Sequence, residues 1–398
     1  MDGTSERMSA EEMGEWVKDK LAEADRRKEE LATVFEMPDS EQLARYLAAH
    51  MPGASGVRVE NFDSISYGTA REHYSFDAAW VEHGREVSKS FVLLRDHDLP
   101  PSVLPHYNVM ADPLTFWVQG KGDRQREFRI LKCLESTAVA APRAWFLEES
   151  GEWLERSFTI HERVAGQVIP SFTLLGVEAS AKRQAIAKQF VDSLAVIHAV
   201  DWKAGGLAAL GVPEVGSRAY ADLMTACLER RVNVSVPQPQ SELRPALDWM
   251  RGHTPGLQTV ALCHGDYKTD NFLFEGEEIT AILDWEFAHL GDPAEDLGAV
   301  CMGLHAVGDL AMGLLPRQEF LAAYEAAAGS SVERERVLFW EIFYDVRMVS
   351  FCYTMAAGAK EFVEMAPELP LGVELADMEA FIMSMVNRIL DDLRQRLA

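Results

Sequence analysis

Between Leu262 and Phe274 the chain reads LCHGDYKTDNFLF, which sets a His, two Asp, a Lys and an Asn between two apolar runs. Side chains of these types at such spacing can carry out metal-assisted acid–base chemistry. The overlapping stretch NFLFEGEEITAILDWE has two apolar runs separated by EGEE, the pattern of a β-hairpin with a glycine-containing turn. Pairing those runs brings Asn271, just before the first strand, within a residue or two of facing Asp284, just after the second, because opposed residues lie about 5 Å apart. An Asn oxygen and an Asp carboxylate in one site suit Mg²⁺, a hard cation that keeps several waters and is completed by nucleotide phosphates. Asp266 lies in the turn before the same hairpin, so a third oxygen donor stands near that ion, as a base would beside a phosphate. A His-Gly-Asp tripeptide alone is ordinary turn chemistry. Three polar placements around one hairpin are a stronger signal.

These residues need a scaffold, and the rest of the chain carries its pattern. Residues 10–35 are charged, free of Pro and helically spaced, which predicts an exposed amphipathic helix. A short helix is expected over Ser40 to His50, broken by MPGASG. From Val57 to Arg95 the runs VRVENF, HYSFDAAWV and KSFVLL predict an antiparallel meander. A Pro-rich connection, DLPPSVLPHYNVMADP, leads to the helical pattern DRQREFRILKCLES, and WFLEES with RSFTIHERV predicts a further strand pair. Beyond Ser180 helical periods dominate, the hairpin excepted.

With 398 residues, 48% of them apolar, the chain can build two or three cores without metals or disulfides. Its 63 acidic against 38 basic side chains give a net charge of -25, which argues against nucleic acid or an anionic membrane as the main partner. The five cysteines are scattered and lack a C-x-x-C pair, so neither a disulfide framework nor a zinc site is suggested. A soluble, cytoplasmic protein is expected, and no stretch of about 18 apolar residues interrupts that reading. An oligomer is compatible with the sequence.

The segments HGDYKTDNFLF and ITAILDWEFAHLGDPAEDLG resemble the catalytic region of the aminoglycoside phosphotransferase and choline kinase-like enzymes, which share the protein-kinase-like fold. REFRILKCLE, IHERVAGQVIP, LAVIHAVDW and FLAAYEAAAG resemble other segments of that family in the usual order, so the likeness covers roughly residues 40 to 395. It implies a two-lobed α+β fold: an N-terminal helical extension over 1–36, a small β-rich N-lobe over 37–159 and a larger, mainly helical C-lobe over 160–398. By position it implies Asp266 as catalytic base, Asn271 and Asp284 as Mg²⁺ ligands, and His264 as a brace for the loop. ATP is the implied co-substrate and a small-molecule hydroxyl the implied acceptor.

In the first lobe the resemblance points to Gly68 of SISYGTAREHYSF as a phosphate-covering turn. Arg95 stands where protein kinases carry a phosphate-pairing Lys, with Glu127 as its expected partner, and a guanidinium fork binds phosphate with a different geometry. Backbone groups around His161 and Arg163 are the implied adenine-binding hinge. Asp284 is followed by Trp285 and Glu286, not Phe-Gly, which implies no regulated activation loop and favours a small acceptor. His198 and His289 read as structural hydrogen-bonders, Asp292 as a helix cap and Asp296 as a buried loop anchor. Two other readings use the same residues: a catalytically silent nucleotide-binding module, and a di-metal hydrolase built on His264, Asp266, Asp270, Asp284, His289 and Asp292. As to the acceptor, the resemblance suggests an antibiotic-type polyamine. Most of the apolar stretch VLFWEIFYDVRMVSFCYTM reads as core, and a remainder facing the cleft would instead favour a partly apolar hydroxylated compound, with aminoglycosides as poor substrates.

Overall fold

The computed structural model describes residues 37–67, 71–96, 124–169, 181–237, 242–307, 310–365 and 375–397. The helix expected over 10–35 and the turn glycine Gly68 lie outside these residues. The described residues divide into two compact units, one formed by those within 37–96 and 142–164, the other by those within 124–141 and 165–397.

The first unit opens with helix α1 (Ser40–His50), whose start is capped by the Asp39 carboxylate accepting the Glu41 N–H at 2.8 Å. Strands β1 (Ala54–Tyr67), β2 (Arg71–Glu82), β3 (Arg85–Asp96), β4 (Ala144–Glu148) and β5 (Phe158–Glu162) form one antiparallel sheet in the order β1-β2-β3-β5-β4. The β2–β3 hairpin closes on a two-residue turn, His83–Gly84, with both φ angles positive at 50° and 75°. That backbone matches the right-handed twist of the strands on either side. Alternate residues of β2, Tyr74, Phe76, Ala78 and Trp80, are buried, as a period of two requires, and Phe76 stacks on its cross-strand partner Phe91 at 5.3 Å. Leu43, Tyr46 and Leu47 of α1 close this core.

The second unit is mainly helical: α2 (Arg124–Leu134), α3 (Ala181–His198), α4 (Ala219–Ser235), α5 (Arg244–Gly252), α6 (Ala294–Cys301), α7 (Arg317–Ala328), α8 (Arg334–Met365) and α9 (Leu375–Leu397). Its short strands include β6 (Gln167–Val168), β7 (Ala261–Cys263), β8 (Phe272–Glu275), β9 (Glu278–Ile282) and β10 (His289–Gly291). The apolar stretch on α8 is core, as its composition predicts: Val337, Phe339, Trp340, Ile342, Phe343 and Val346 are all fully buried. The division differs from the sequence-based one at 159/160. Helix α2 packs in the helical unit, where Arg126 Nη2 donates to Glu286 O at 2.8 Å, and Ile282 N donates to Ala140 O at 2.6 Å. The sheet unit continues through Val164, since β5 is held between β3 and β4 and Arg163 N donates to Ser90 O.

Candidate functional site

The site lies in the second unit and is built from two loops joined by short strands. Strand β7 pairs antiparallel with β10, Cys263 opposite His289, and β8 pairs with β9, Phe272 opposite Ile282. The turn between β8 and β9 is Gly276–Glu277, with Gly276 at φ 65°. This register sets Asn271 opposite Leu283, whose N–H donates to Asn271 O at 2.7 Å, so Asp284 is one residue beyond the pair. The hairpin thereby brings Asn271 and Asp284 together, and the loop leaving β7 brings Asp266 to them.

That loop is held by α6. The Asp296 carboxylate accepts the N–H groups of His264 (2.7 Å) and Gly265 (2.8 Å), and its Oδ2 also meets His198 Nε2 at 3.1 Å. His198 Nδ1 in turn faces Tyr324 Oη at 2.7 Å. Burial pushes the Asp296 carboxyl up, but His198, His264 and the backbone donors outweigh it and hold it below the usual range. Gly265 has φ 80°, and a Cβ there would stand 2.6 Å from Phe287 O. Only glycine lets the two loops approach this closely. The His264 ring faces Leu283 O through Nε2 (3.0 Å) and accepts the Asp266 N–H at Nδ1 (3.3 Å), tying loop to hairpin. Burial lowers its pKa, so it is neutral at pH 7.

Lys268 Nζ donates to Asp266 Oδ2 at 2.7 Å, and Asn271 Nδ2 donates to the same oxygen and to Asp266 O, each at 2.9 Å. Burial alone would raise the Asp266 pKa; the Lys268 ammonium, the Asn271 amide and the Arg347 charge reverse this and hold it well below the usual carboxylate range. Asp284 occupies the left-handed region at φ 63°, which Asp tolerates better than most side chains. Its pKa is pushed well up, by burial first and then by the charges of Glu286, Asp266 and Glu127, with Lys268 opposing. The acidic groups thus outnumber the one lysine, and Asn271 has spent its amide nitrogen on Asp266, which turns its Oδ1 to other partners. Oxygen donors with surplus negative charge are the set a divalent cation such as Mg²⁺ requires, and these residues fit one.

Lys268 and Glu286 join this group although the motif by itself assigns neither a role; the only signal for Lys268 is its place two residues after Asp266. The di-metal set is not assembled. His289 Nε2 is engaged by Tyr220 Oη (3.1 Å) and Glu295 Oε2 (3.2 Å), while Asp292 Oδ2 binds Arg336 Nη1 (3.0 Å) and its Oδ1 accepts Ala294 N–H. Asp292 and Asp296 hold a helix start and the loop, respectively.

In the first unit, Arg95 lies near the end of β3 and is buried. Its Nε donates to the Glu72 carboxylate at 2.7 Å, and Arg156 Nη1 donates to the other Glu72 oxygen at 2.7 Å. A guanidinium enclosed in this way is braced within its own sheet. Glu127 is buried on α2, where its charge acts on Asp284. His161 sits inside β5, opposite Val92 on one side and Ala144 on the other, and the Arg163 N–H is taken by Ser90 O at 2.9 Å. That N–H is therefore engaged within the sheet.

Residues 107–340 match the model of the Phosphotransferase enzyme family. Among curated proteins, acyl-CoA dehydrogenase family member 10 of Mus musculus is 32% identical over 183 residues, 46% of this chain and 17% of that protein. Acyl-CoA dehydrogenase family member 11 of Rattus norvegicus is 26% identical over 262 residues, 65% of this chain and 30% of that protein. The chain thus spans less than a third of the length of these relatives. Among solved structures, a putative aminoglycoside phosphotransferase from Ralstonia eutropha aligns over 90% of this chain and 99% of its own, with a TM-score of 0.63 and 19% identity. The GDP complex of aminoglycoside 2'-phosphotransferase-IIIa aligns over 89% and 99%, with a TM-score of 0.54 and 15% identity. The shared fold is the α+β, protein-kinase-like one.

Proposed function

This chain belongs to the phosphotransferase enzyme family, and on that premise we propose that it transfers the γ-phosphoryl group of ATP to a hydroxyl of a small molecule, with Asp266 as the base. The observation that carries this reading is the meeting of Asp266, Lys268, Asn271 and Asp284 around one hairpin. Solved relatives of the same fold support nucleotide binding, one with AMP-PNP and hygromycin B and one with GDP.

Asn271 Oδ1 and the Asp284 carboxylate are the groups to hold Mg²⁺, which supplies neutralisation of phosphate charge when bound. Lys268 and Asn271 both occupy Asp266 Oδ2, so Oδ1 is the oxygen left to orient the acceptor hydroxyl and take its proton. A carboxylate held at low pKa is a weak base. Phosphoryl transfer asks little more, because its loose transition state is helped mainly by positioning and by neutralising charge on the phosphoryl oxygens. The Lys268 ammonium, within reach of both Asp266 and Asp284, is placed to do the latter. His264 and Asp296 hold the loop and take no part in proton transfer. The acceptor in this reading is a hydroxyl on a partly apolar body, with aminoglycosides poor substrates. Acceptor-dependent release of ADP tests the function: none from a nucleotide-binding protein across sugars, amines and lipophilic alcohols would leave a silent module.

A further inference from the structure

In a chain of net charge -25, two arginines near the candidate site have no ion-pair partner among the described residues. Arg231 on α4 is 3% exposed, its Nε donates to Ser350 Oγ on α8 at 3.1 Å, and its Nη1 has no hydrogen-bond partner. Among the described residues no carboxylate lies within ion-pair distance of it, and the charge that acts on it is another arginine, Arg347. Arg347 lies on α8 over the rings of Phe287 (5.4 Å) and Tyr344 (5.1 Å), again with no ion-pair partner among the described residues. Phe287 is the residue whose backbone meets Gly265, next to Asp266, and the Arg347 charge reaches Asp266 itself.

Burying a cation without a counter-charge is among the costliest arrangements a fold can hold, and the usual reason to keep one is a ligand that completes it. Guanidinium groups match carboxylate and phosphate through paired N–H donors. We infer that Arg347 and Arg231 receive an anionic group, carboxylate or phosphate, on the same molecule that offers its hydroxyl to Asp266. This rests on the phosphotransferase reading for the hydroxyl and deepens it by naming the acceptor class. An anionic acceptor is the opposite of a polyamine, and the aromatic rings of Phe287 and Tyr344 suit an apolar body between its two ends.

The test uses the full chain with ATP and Mg²⁺ and matched compounds. One arm compares 3-hydroxybutanoate with 3-hydroxybutanamide and the other glycerol 3-phosphate with glycerol, each with longer-chain members. Binding is followed by the Tm of the protein and turnover by ADP release. The expected result is that one anionic series raises the Tm where its neutral counterpart does not, and exceeds it about tenfold or more in kcat/KM. Which arm responds separates a hydroxy acid from a phosphorylated alcohol. Equal responses to charged and neutral members, including no response to either, overturn the inference. Anion binding without ADP release would sink the phosphotransferase reading and leave the anion site standing.

Arg347→Gln is expected to erase the preference through the acceptor KM; a rise confined to the nucleotide KM would overturn the assignment. Arg231→Met supplies a readout that a structural arginine would not give. Removing an unpaired buried cation should raise the Tm of the ligand-free protein by about 2 °C or more while abolishing the anion response. A lowered Tm with the anion response intact would make Arg231 structural and overturn its role.

Discussion

At the scale of single residues, the site is decided by which oxygen each donor takes. Lys268 and Asn271 converge on Asp266 Oδ2, so Asp266→Asn should preserve the fold and nucleotide affinity while lowering turnover by about 10² or more, the scale of a lost general base. Steady-state ADP release checks this, and unchanged turnover would remove Asp266 from the mechanism. Asp284 is crowded by like charges that a divalent ion would relieve. Asp284→Ala should therefore weaken ATP binding strongly in the presence of Mg²⁺ and little in its absence, as calorimetry with and without the metal would reveal. His305 is pushed down to about 4, by burial and then by the Lys268 charge. A histidine whose folded pKa lies below its unfolded value of about 6.5 is bound neutral, so its contribution is whole above pH 6.5 and is lost as pH falls toward 4. Between those limits it amounts to something on the order of 3 kcal/mol. Denaturant melts at pH 7 and pH 4 should show His305→Gln losing less stability on acidification than the parent protein.

At the scale of elements, the loop after β7 and the β8–β9 hairpin are linked through two glycines that face opposite demands. Both have positive φ, but a Cβ at Gly265 would press on the Phe287 backbone at 2.6 Å, whereas at Gly276 it would meet nothing within 4 Å. Gly276→Ala should cost about 1 kcal/mol, the strain of a left-handed alanine, and Gly265→Ala distinctly more. Equilibrium unfolding of the two variants makes the comparison, and equal losses would refute the close approach. The hairpin was readable from its two apolar runs and the EGEE between them, and the Ser40–His50 helix from its bounds. Both are local patterns, set by residues a few positions apart. What holds the loop was less open to reading: Asp296 could be taken as a loop anchor, but that it serves the N–H groups of His264 and Gly265 depends on α6 folding back across about 30 residues.

At the scale of the whole molecule, the net charge of -25 makes self-repulsion a general cost of the compact state. Raising NaCl from about 10 mM to about 200 mM shortens the Debye length from roughly 30 Å to below 10 Å, and the Tm should rise accordingly. A Tm that falls over this range in a scanning-calorimetry series would show that attractive ion pairs outweigh the repulsion. By itself the sequence determined the hairpin and the residues placed around it, because period, turn chemistry and a dense polar motif are properties of neighbours in the chain, and the fold class followed from the family resemblance those motifs carry. The tertiary structure decided the partners. Glu72 lies on Arg95, Glu127 acts on Asp284, α2 joins the helical unit through Arg126 and Glu286, and Arg231 is buried beside Arg347. Burial and charge pairing are set by segments up to 160 residues apart, and no local pattern encodes which distant side chain arrives, or that for Arg231 no carboxylate does among the described residues.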